Sequence, residues 1–262
     1  MDSAPQAGWT GSEVKASFNA IPSVLYYTRA AHVLGLWKSE LLVIGRFLPR
    51  PPSRLVEAGC GAGRVTLGLW KMGYSGIVAF DFAGELLDQA RRLAAETGAG
   101  SIGFHCADAT HVTGSDLGQE GAGGFDGALF MFNGLMQIPG RENRRAALRG
   151  LHGLCRPGAP LLFTSHDREW AINEQQWWRD ESARWSGGTR DPRLTDYGDR
   201  LFHDESGEVF IHIPDRAEIL GDLAATGWSL HFDAMRSELS EETRAVTDFS
   251  DDCRFWVALR NP

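Results

Sequence analysis

The sequence is poor in features that mark several functional classes. No apolar stretch approaches the roughly 20 residues needed to cross a bilayer, and Met1 to Gly11 has neither a basic nor an apolar segment, so neither a membrane span nor a signal peptide is expected. Four scattered cysteines, Cys60, Cys106, Cys155 and Cys253, show no C-x-x-C or Cys–His spacing. That leaves a disulfide framework or a zinc site unsupported and makes a reducing cytoplasm the expected location. Basic residues are outnumbered, 26 Lys and Arg against 34 Asp and Glu, for a formal net charge of -8. A generic phosphate-binding surface, and with it a nucleic-acid partner, is therefore not expected. A local run of arginines, Arg141, Arg144, Arg145 and Arg149, reads as a solvated helix face. Internal repeats and low-complexity tracts are also lacking. What remains is ordinary globular composition, 43% hydrophobic and 23% charged, which supports a real core.

Along the chain, the first dozen residues are small and polar and read as frayed. Residues 12–48 carry helical patterning, with Val33, Leu34, Trp37, Leu41 and Leu42 as a candidate inward stripe, closed by Pro49, Pro51 and Pro52. Strand and helix then alternate: strands over 54–58, 76–80, 102–106, 125–132 and 161–165, helices over 64–72, 85–97 and 142–154, and a Gly-rich loop over 114–124. That rhythm predicts a doubly wound, mainly parallel sheet covered on both faces. It breaks after Asp167. Residues 169–213 are rich in Trp and charge and end in a hairpin, 200–202 against 208–213, around Asp204-Glu205-Ser206-Gly207. A helix over 214–226 and strands over 228–234 and 254–259 complete the pattern. The whole, 1–262, reads as one α/β domain with an N-terminal helical cover over 12–48 and an inserted lid over 169–213.

The sharpest motif is Glu57-Ala58-Gly59-Cys60-Gly61-Ala62-Gly63-Arg64, which follows a strand and opens a helix. Glycines there permit unusual backbone angles and close approach of a ligand to the main chain. Asp81 ends the next strand roughly 20 residues on, where an acid can accept hydrogen bonds from ribose hydroxyls. Arg64 stands where a dinucleotide fingerprint wants its third glycine, which counts against NAD and FAD.

Residues 55–81 resemble motif I and the following acidic strand of class I S-adenosylmethionine (SAM)-dependent methyltransferases. The resemblance implies a seven-stranded Rossmann-like sheet of order 3-2-1-4-5-7-6 and SAM as cofactor. Gly59, Gly61 and Gly63 then meet its methionine portion, flanked by Glu57 and Arg64, and Asp81 its ribose. Cys106-Ala107-Asp108-Ala109 matches the family's next motif, so Asp108 would accept the adenine amine between Phe82 and Ala109. Phe132 and Asn133 fall where the family lines SAM and the acceptor. The N-terminal aromatics Tyr26 and Tyr27, with Arg29 and Trp37, are candidates for closing over the site, Tyr27 on the cofactor and Tyr26 toward the acceptor.

Displacement at a sulfonium depends mainly on alignment and exclusion of water, and a base is needed only if the nucleophile must lose a proton. His166, ending the fifth strand on the ligand-binding edge, is the candidate catalytic residue. His203 and His212, on the two arms of the hairpin, are candidate substrate contacts, and their spacing gives no metal motif. The leading reading is a methyltransferase for a small-molecule acceptor. Alternatives are an RNA or protein methyltransferase, a non-catalytic SAM-binding regulator and, more weakly, an NAD-dependent oxidoreductase. The Trp-rich insertion is read as a substrate lid, with a homodimer surface or a satellite core as alternatives.

Overall fold

A computed structural model describes residues 8–119, 124–205 and 207–262. Most of the N-terminal stretch expected to fray, part of the Gly-rich loop and Ser206 of the hairpin turn lie outside them. The cover comprises α1 (Gly11–Asn19), α2 (Ile21–Val33) and α3 (Lys38–Phe47). Thr10 and Glu13 form a reciprocal cap at the start of α1, and Pro22 sits in the first turn of α2, where a missing N–H costs nothing. Next come β1 (Arg54–Ala58), α4 (Arg64–Lys71), β2 (Gly76–Asp81), α5 (Gly84–Glu96), β3 (Gly103–Cys106), β4 (Gly127–Phe130), α6 (Arg141–Leu154) and β5 (Pro160–Ser165). The insertion supplies α7 (Gln175–Ser186) and the hairpin β6 (Asp199–Asp204) and β7 (Gly207–His212). The chain closes with α8 (Arg216–Ala225), β8 (Trp228–Met235), α9 (Arg236–Leu239), α10 (Arg244–Phe249) and β9 (Arg254–Arg260).

The main sheet has seven strands in the order β3-β2-β1-β4-β5-β9-β8. Its pairs are parallel from β3 to β5 and antiparallel at β5–β9 and β9–β8. With the separate hairpin set aside, this is the expected 3-2-1-4-5-7-6 arrangement. Apolar clusters lie on both faces, one with Phe163, Trp228 and Trp256 against α6 and α8, the other with Leu55, Leu69 and Phe255 against α3 and α4. The burial of β1, β4 and β5 on both sides explains their continuous apolar sequence. Among the described residues no helix is long and apolar enough to cross a membrane.

Two expectations about helix faces fail. Trp37 is buried, but Val33, Leu41 and Leu42 are exposed. Gly35, at φ 57°, breaks the helix, so residues 33–34 and 41–42 never share a stripe. Instead Glu40, Val43 and Ile44 set the inward phase of α3. The arginines of α6 are not a free basic face either. Arg144 is fully buried and pairs with Asp196 and Glu218, while Arg141 and Arg145 share Asp222. Sequence spacing showed the charges but not the acids that α8 and the insertion bring to them.

Candidate active site

The glycine turn lies at the C-terminal edge of β1. Gly59, Gly61 and Gly63 all take positive φ, 60°, 51° and 85°. They are not interchangeable. A Cβ on Gly59 would meet the Phe130 ring at 2.6 Å and one on Gly63 would meet Ala90 Cβ at 3.1 Å, whereas Gly61 has only Leu86, at 4.0 Å. Two of the glycines therefore let the turn pack against its own protein, and Gly61 presents bare backbone to a cavity of about 490 Å³. Asp81 holds this edge together. Its Oδ2 accepts from Gly61 N and its Oδ1 from Ala83 N, both at 2.8 Å. Burial raises its carboxyl above the usual range, opposed by those backbone hydrogen bonds.

Along that cavity lie Glu57, Gly59, Gly61, Arg64, Asp81, Phe82, Asp108, Ala109, Phe132 and Tyr27, all from the expected cofactor set. Gly63 stands behind the turn. Their roles differ from the sequence picture at two points. Arg64 is 8% exposed and engages protein: its guanidinium donates to both Glu40 carboxylate oxygens at 2.7 Å and to Gly35 O at 2.8 Å. It also lies over Trp37 and Phe132, 4.8 and 5.7 Å from their ring centres. It thus ties the cover to the glycine turn. Asp108 sits on the rim, but its Oδ1 already accepts from Thr110 N at 2.8 Å and Thr110 Oγ1 at 2.7 Å, which leaves Oδ2 to meet a ligand.

Glu57 is deeply buried. Burial pushes its carboxyl up to about 8, against the lowering influence of Thr66, whose hydroxyl donates to Oε2 at 2.5 Å, and of Arg64. At neutral pH it keeps a proton. A cation bound in this cavity favours the carboxylate and expels that proton. Binding of a cationic ligand such as SAM is therefore expected to tighten as pH rises from the ordinary carboxylate range to about 8, by at most about tenfold per unit. Folding runs the other way, because the unfolded chain loses this proton first and stability from Glu57 falls as pH rises through the same window. Calorimetry at several pH values should show proton release on binding, and Glu57→Gln should flatten the dependence; an unchanged slope would exclude Glu57 as its source.

Beyond β4 the backbone makes a second unusual turn. Phe132 and Asn133 take φ 54° and 59°, consecutive non-glycine residues in the left-handed region. Each such residue costs about 1–2 kcal/mol, and strain of this kind concentrates at functional sites. Asn133 N donating to Thr164 Oγ1 at 2.8 Å holds it, as does a cluster in which Phe132 stacks on Phe249 and meets Tyr27 and Trp37 edge-on. The turn divides the first cavity from a second, of about 640 Å³, and Tyr27, Ala30, Phe132, Gln137 and Phe249 line both. Tyr26, Asn133 and His166 line the second. Tyr26 stacks on Phe249, 4.8 Å between ring centres, and donates to Phe249 O at 3.2 Å. His166 Nδ1 faces Asp252 O at 2.9 Å and Nε2 faces Asn133 Nδ2 at 3.1 Å. The carbonyl fixes the ring proton on Nδ1 and leaves a lone pair on Nε2.

The hairpin histidines are corrections. His203 is exposed and lines neither cavity. His212 is 0% exposed, its Nδ1 2.8 Å from Asp199 and its Nε2 2.8 Å from Glu218. The hairpin was legible and its inward face was not. Register pairs Phe202 with Val209 and Arg200 with Ile211, and this face lines the cavities; His203 pairs with Glu208 and His212 with Asp199 on the other face. Two carboxylates at hydrogen-bond distance require protons on both nitrogens of His212. Burial would raise Glu218, but His212, Arg144 and Arg168 outweigh it and hold it at about 2. Stability from Glu218 is therefore present above the ordinary carboxylate range and is lost as pH falls toward about 2. His212→Ala is expected to cost about 3–5 kcal/mol in a denaturant titration, since it leaves buried acids unpaired, with SAM affinity unchanged. A stable variant with altered ligand binding would restore the substrate role.

Sequence reasoning missed Phe249, Gln137 and Asp252. Residues 236–253 link the last two strands and carried no periodic signal, yet α10 brings Phe249 to the wall between the cavities.

A family model described as a methyltransferase domain matches residues 55–158. A comparison with curated protein sequences gives no match. Among solved structures, a SAM-dependent methyltransferase from Methanosarcina mazei is 18% identical, with 87% of this chain and 99% of that one covered and a TM-score of 0.66. The [4+2]-cyclase SpnF is 17% identical over 99% of both chains, with a TM-score of 0.67. Magnesium protoporphyrin IX methyltransferase from Synechocystis PCC 6803, solved with bound SAM, is 16% identical over 98% of this chain and 100% of that one, with a TM-score of 0.58.

Proposed function

We propose that this chain, whose residues 55–158 match a methyltransferase-domain model, is a class I SAM-dependent methyltransferase that methylates a small-molecule acceptor held in the second cavity. The supporting observation is the junction at Phe132-Asn133, where a cofactor-sized cavity and an aromatic-walled chamber share their lining. The residues fit SAM. Gly61 offers bare backbone, Asp81 and Asp108 give the cavity an acidic lining that suits a net cation, Glu57 joins them once a bound cation expels its proton, and Phe82 and Ala109 line the same cavity. A dinucleotide diphosphate would meet those acids unfavourably.

SAM supplies an activated methyl group on a sulfonium, so the protein's part is alignment and exclusion of water. The glycine turn and Asp81 orient the cofactor. Phe132, locked in its strained turn, separates the two ligands and fixes their approach. Tyr27 and Phe249 close the junction, and their ring faces attract positive charge by about 0.5–2 kcal/mol. His166 orients Asn133 through Nε2. The insertion acts as the lid: α1 joins the hairpin through Ser17 Oγ donating to Glu208 O at 2.9 Å, and Trp9 stacks on Phe210. The acidic, aromatic walls favour a small molecule over RNA.

The test is methyl-labelled SAM incubated with the protein and a metabolite extract. Label should appear in a small product together with one equivalent of S-adenosylhomocysteine. Label confined to RNA or protein would overturn the acceptor class, and label that never leaves SAM would point to a reaction without transfer.

A further inference from the structure

The turn after β4 holds an acceptor atom with no donor among the described residues. Asn133 is 5% exposed and its Oδ1 is buried with no hydrogen-bond partner among them. The amide cannot simply be reversed. With the His166 proton on Nδ1 toward Asp252 O, Nε2 presents a lone pair, and only the Asn133 NH₂ can face it. Oδ1 is therefore the end left for a ligand of the chamber that Asn133 lines. An unpaired buried oxygen is unfavourable, and a hydrogen-bond donor on the bound molecule relieves it.

Charge narrows the choice of donor. Glu205 and Asp251 line the same chamber; Glu169 and Asp251 line an adjoining cavity that shares His166 and Phe202. None of these three carboxylates is in a salt bridge of the described residues, unlike Asp167 with Arg254 and Glu174 with Arg200. Arg29 also lines the chamber as an opposing charge, and Asp248 lines it paired with Arg244. The walls between are the rings of Tyr26, Tyr27, Phe132 and Phe249. Aromatic faces and carboxylates both favour a cation.

We propose that the acceptor is an amine, its reacting nitrogen donating an N–H to Asn133 Oδ1 and its positive charge, before and after transfer, matched by Glu205 and Asp251. This rests on the second cavity being the acceptor site. Before attack the bound ammonium gives one proton to water, and the resulting neutral nitrogen directs its lone pair at the methyl carbon. The N–C bond forms as the C–S bond breaks, and the C–S pair leaves with sulfur. The sulfonium becomes a neutral thioether and the nitrogen takes the positive charge, later releasing one proton to water. As that charge grows the N–H becomes a stronger donor, so Oδ1 holds the transition state more firmly than the ground state. A carboxylate acceptor has no proton for Oδ1 and faces the like charges of Glu205 and Asp251.

The test uses the full chain loaded with S-adenosylhomocysteine and titrated calorimetrically with phenethylamine, 2-phenylethanol and 3-phenylpropanoate, which share a ring and differ in charge. Phenethylamine should bind about tenfold tighter than the alcohol, and 3-phenylpropanoate weakest. Glu205→Gln with Asp251→Asn should remove the preference for amine over alcohol, and Asn133→Leu should weaken both. The proposal is overturned by tighter binding of 3-phenylpropanoate, by no binding of phenethylamine, or by an amine preference that survives the double variant. Failure to load S-adenosylhomocysteine would instead sink the methyltransferase reading itself.

Discussion

Asp81→Ala is expected to weaken SAM binding by about a hundredfold or more, because hydrogen bonds to a charged acceptor are worth about 1.5–3 kcal/mol each and the family role of this acid is to hold the ribose. A structural effect adds to it. Gly61 N and Ala83 N both lose their acceptor, and each buried N–H left unpaired costs about 1–3 kcal/mol. The turn that exposes Gly61 backbone is then no longer fixed. Asp81→Asn keeps one acceptor oxygen and should fall between wild type and Asp81→Ala in both affinity and melting temperature. Calorimetric titration with SAM, alongside thermal unfolding, measures the two parts. A variant that melts lower yet binds SAM within about threefold of wild type would reduce Asp81 to a structural residue.

The second large effect concerns Arg64 and Glu40. Their two-point ion pair is almost fully buried, so removing one partner leaves a stranded charge, at a cost of about 3–5 kcal/mol. For a chain of this size that is about 10 °C in melting temperature. Arg64→Met and Glu40→Leu should each be severe. The double variant should be much milder than their sum, because two apolar side chains replace a desolvated pair. The binding readout separates this clamp from direct contact. If Arg64 mainly holds α3 and Gly35 against the glycine turn, Glu40→Leu weakens SAM binding as much as Arg64→Met. If Arg64 touches SAM, only Arg64→Met does, and the positioning role is wrong.

These predictions locate what could be read in one dimension. The span from Glu57 to Asp81 was legible because its signals are local: a strand, three glycines whose backbone angles no other residue adopts cheaply, and an acid at the next strand's end. The alternation of strands and helices gave the parallel sheet for the same reason. The two strands of the hairpin are likewise written within a few residues of where they pair.

Other features were not local. Arg64 was expected against the cofactor, and the fold also brings Glu40 and Gly35 to it, which sequence spacing did not show. His212 looked like a pocket residue, and the alternation along β7 placed it among Asp199, Glu218 and their arginines. One residue of register decides which face of a strand a side chain takes, and composition carries no record of that choice. Phe249 and Asp252 have no signature, because their partners, Tyr26 of α2 and His166 just after β5, arrive only once the chain folds.

The sequence by itself determined the glycine turn after β1 and the order of strands and helices, since each depends on neighbours a few residues apart. The tertiary structure alone decided which arginine joins α3 to the glycine turn, which histidine lines the second cavity and where an amide oxygen has no donor among the described residues. Those depend on burial and on partners tens to hundreds of residues away, and desolvation acts on groups that only folding brings together.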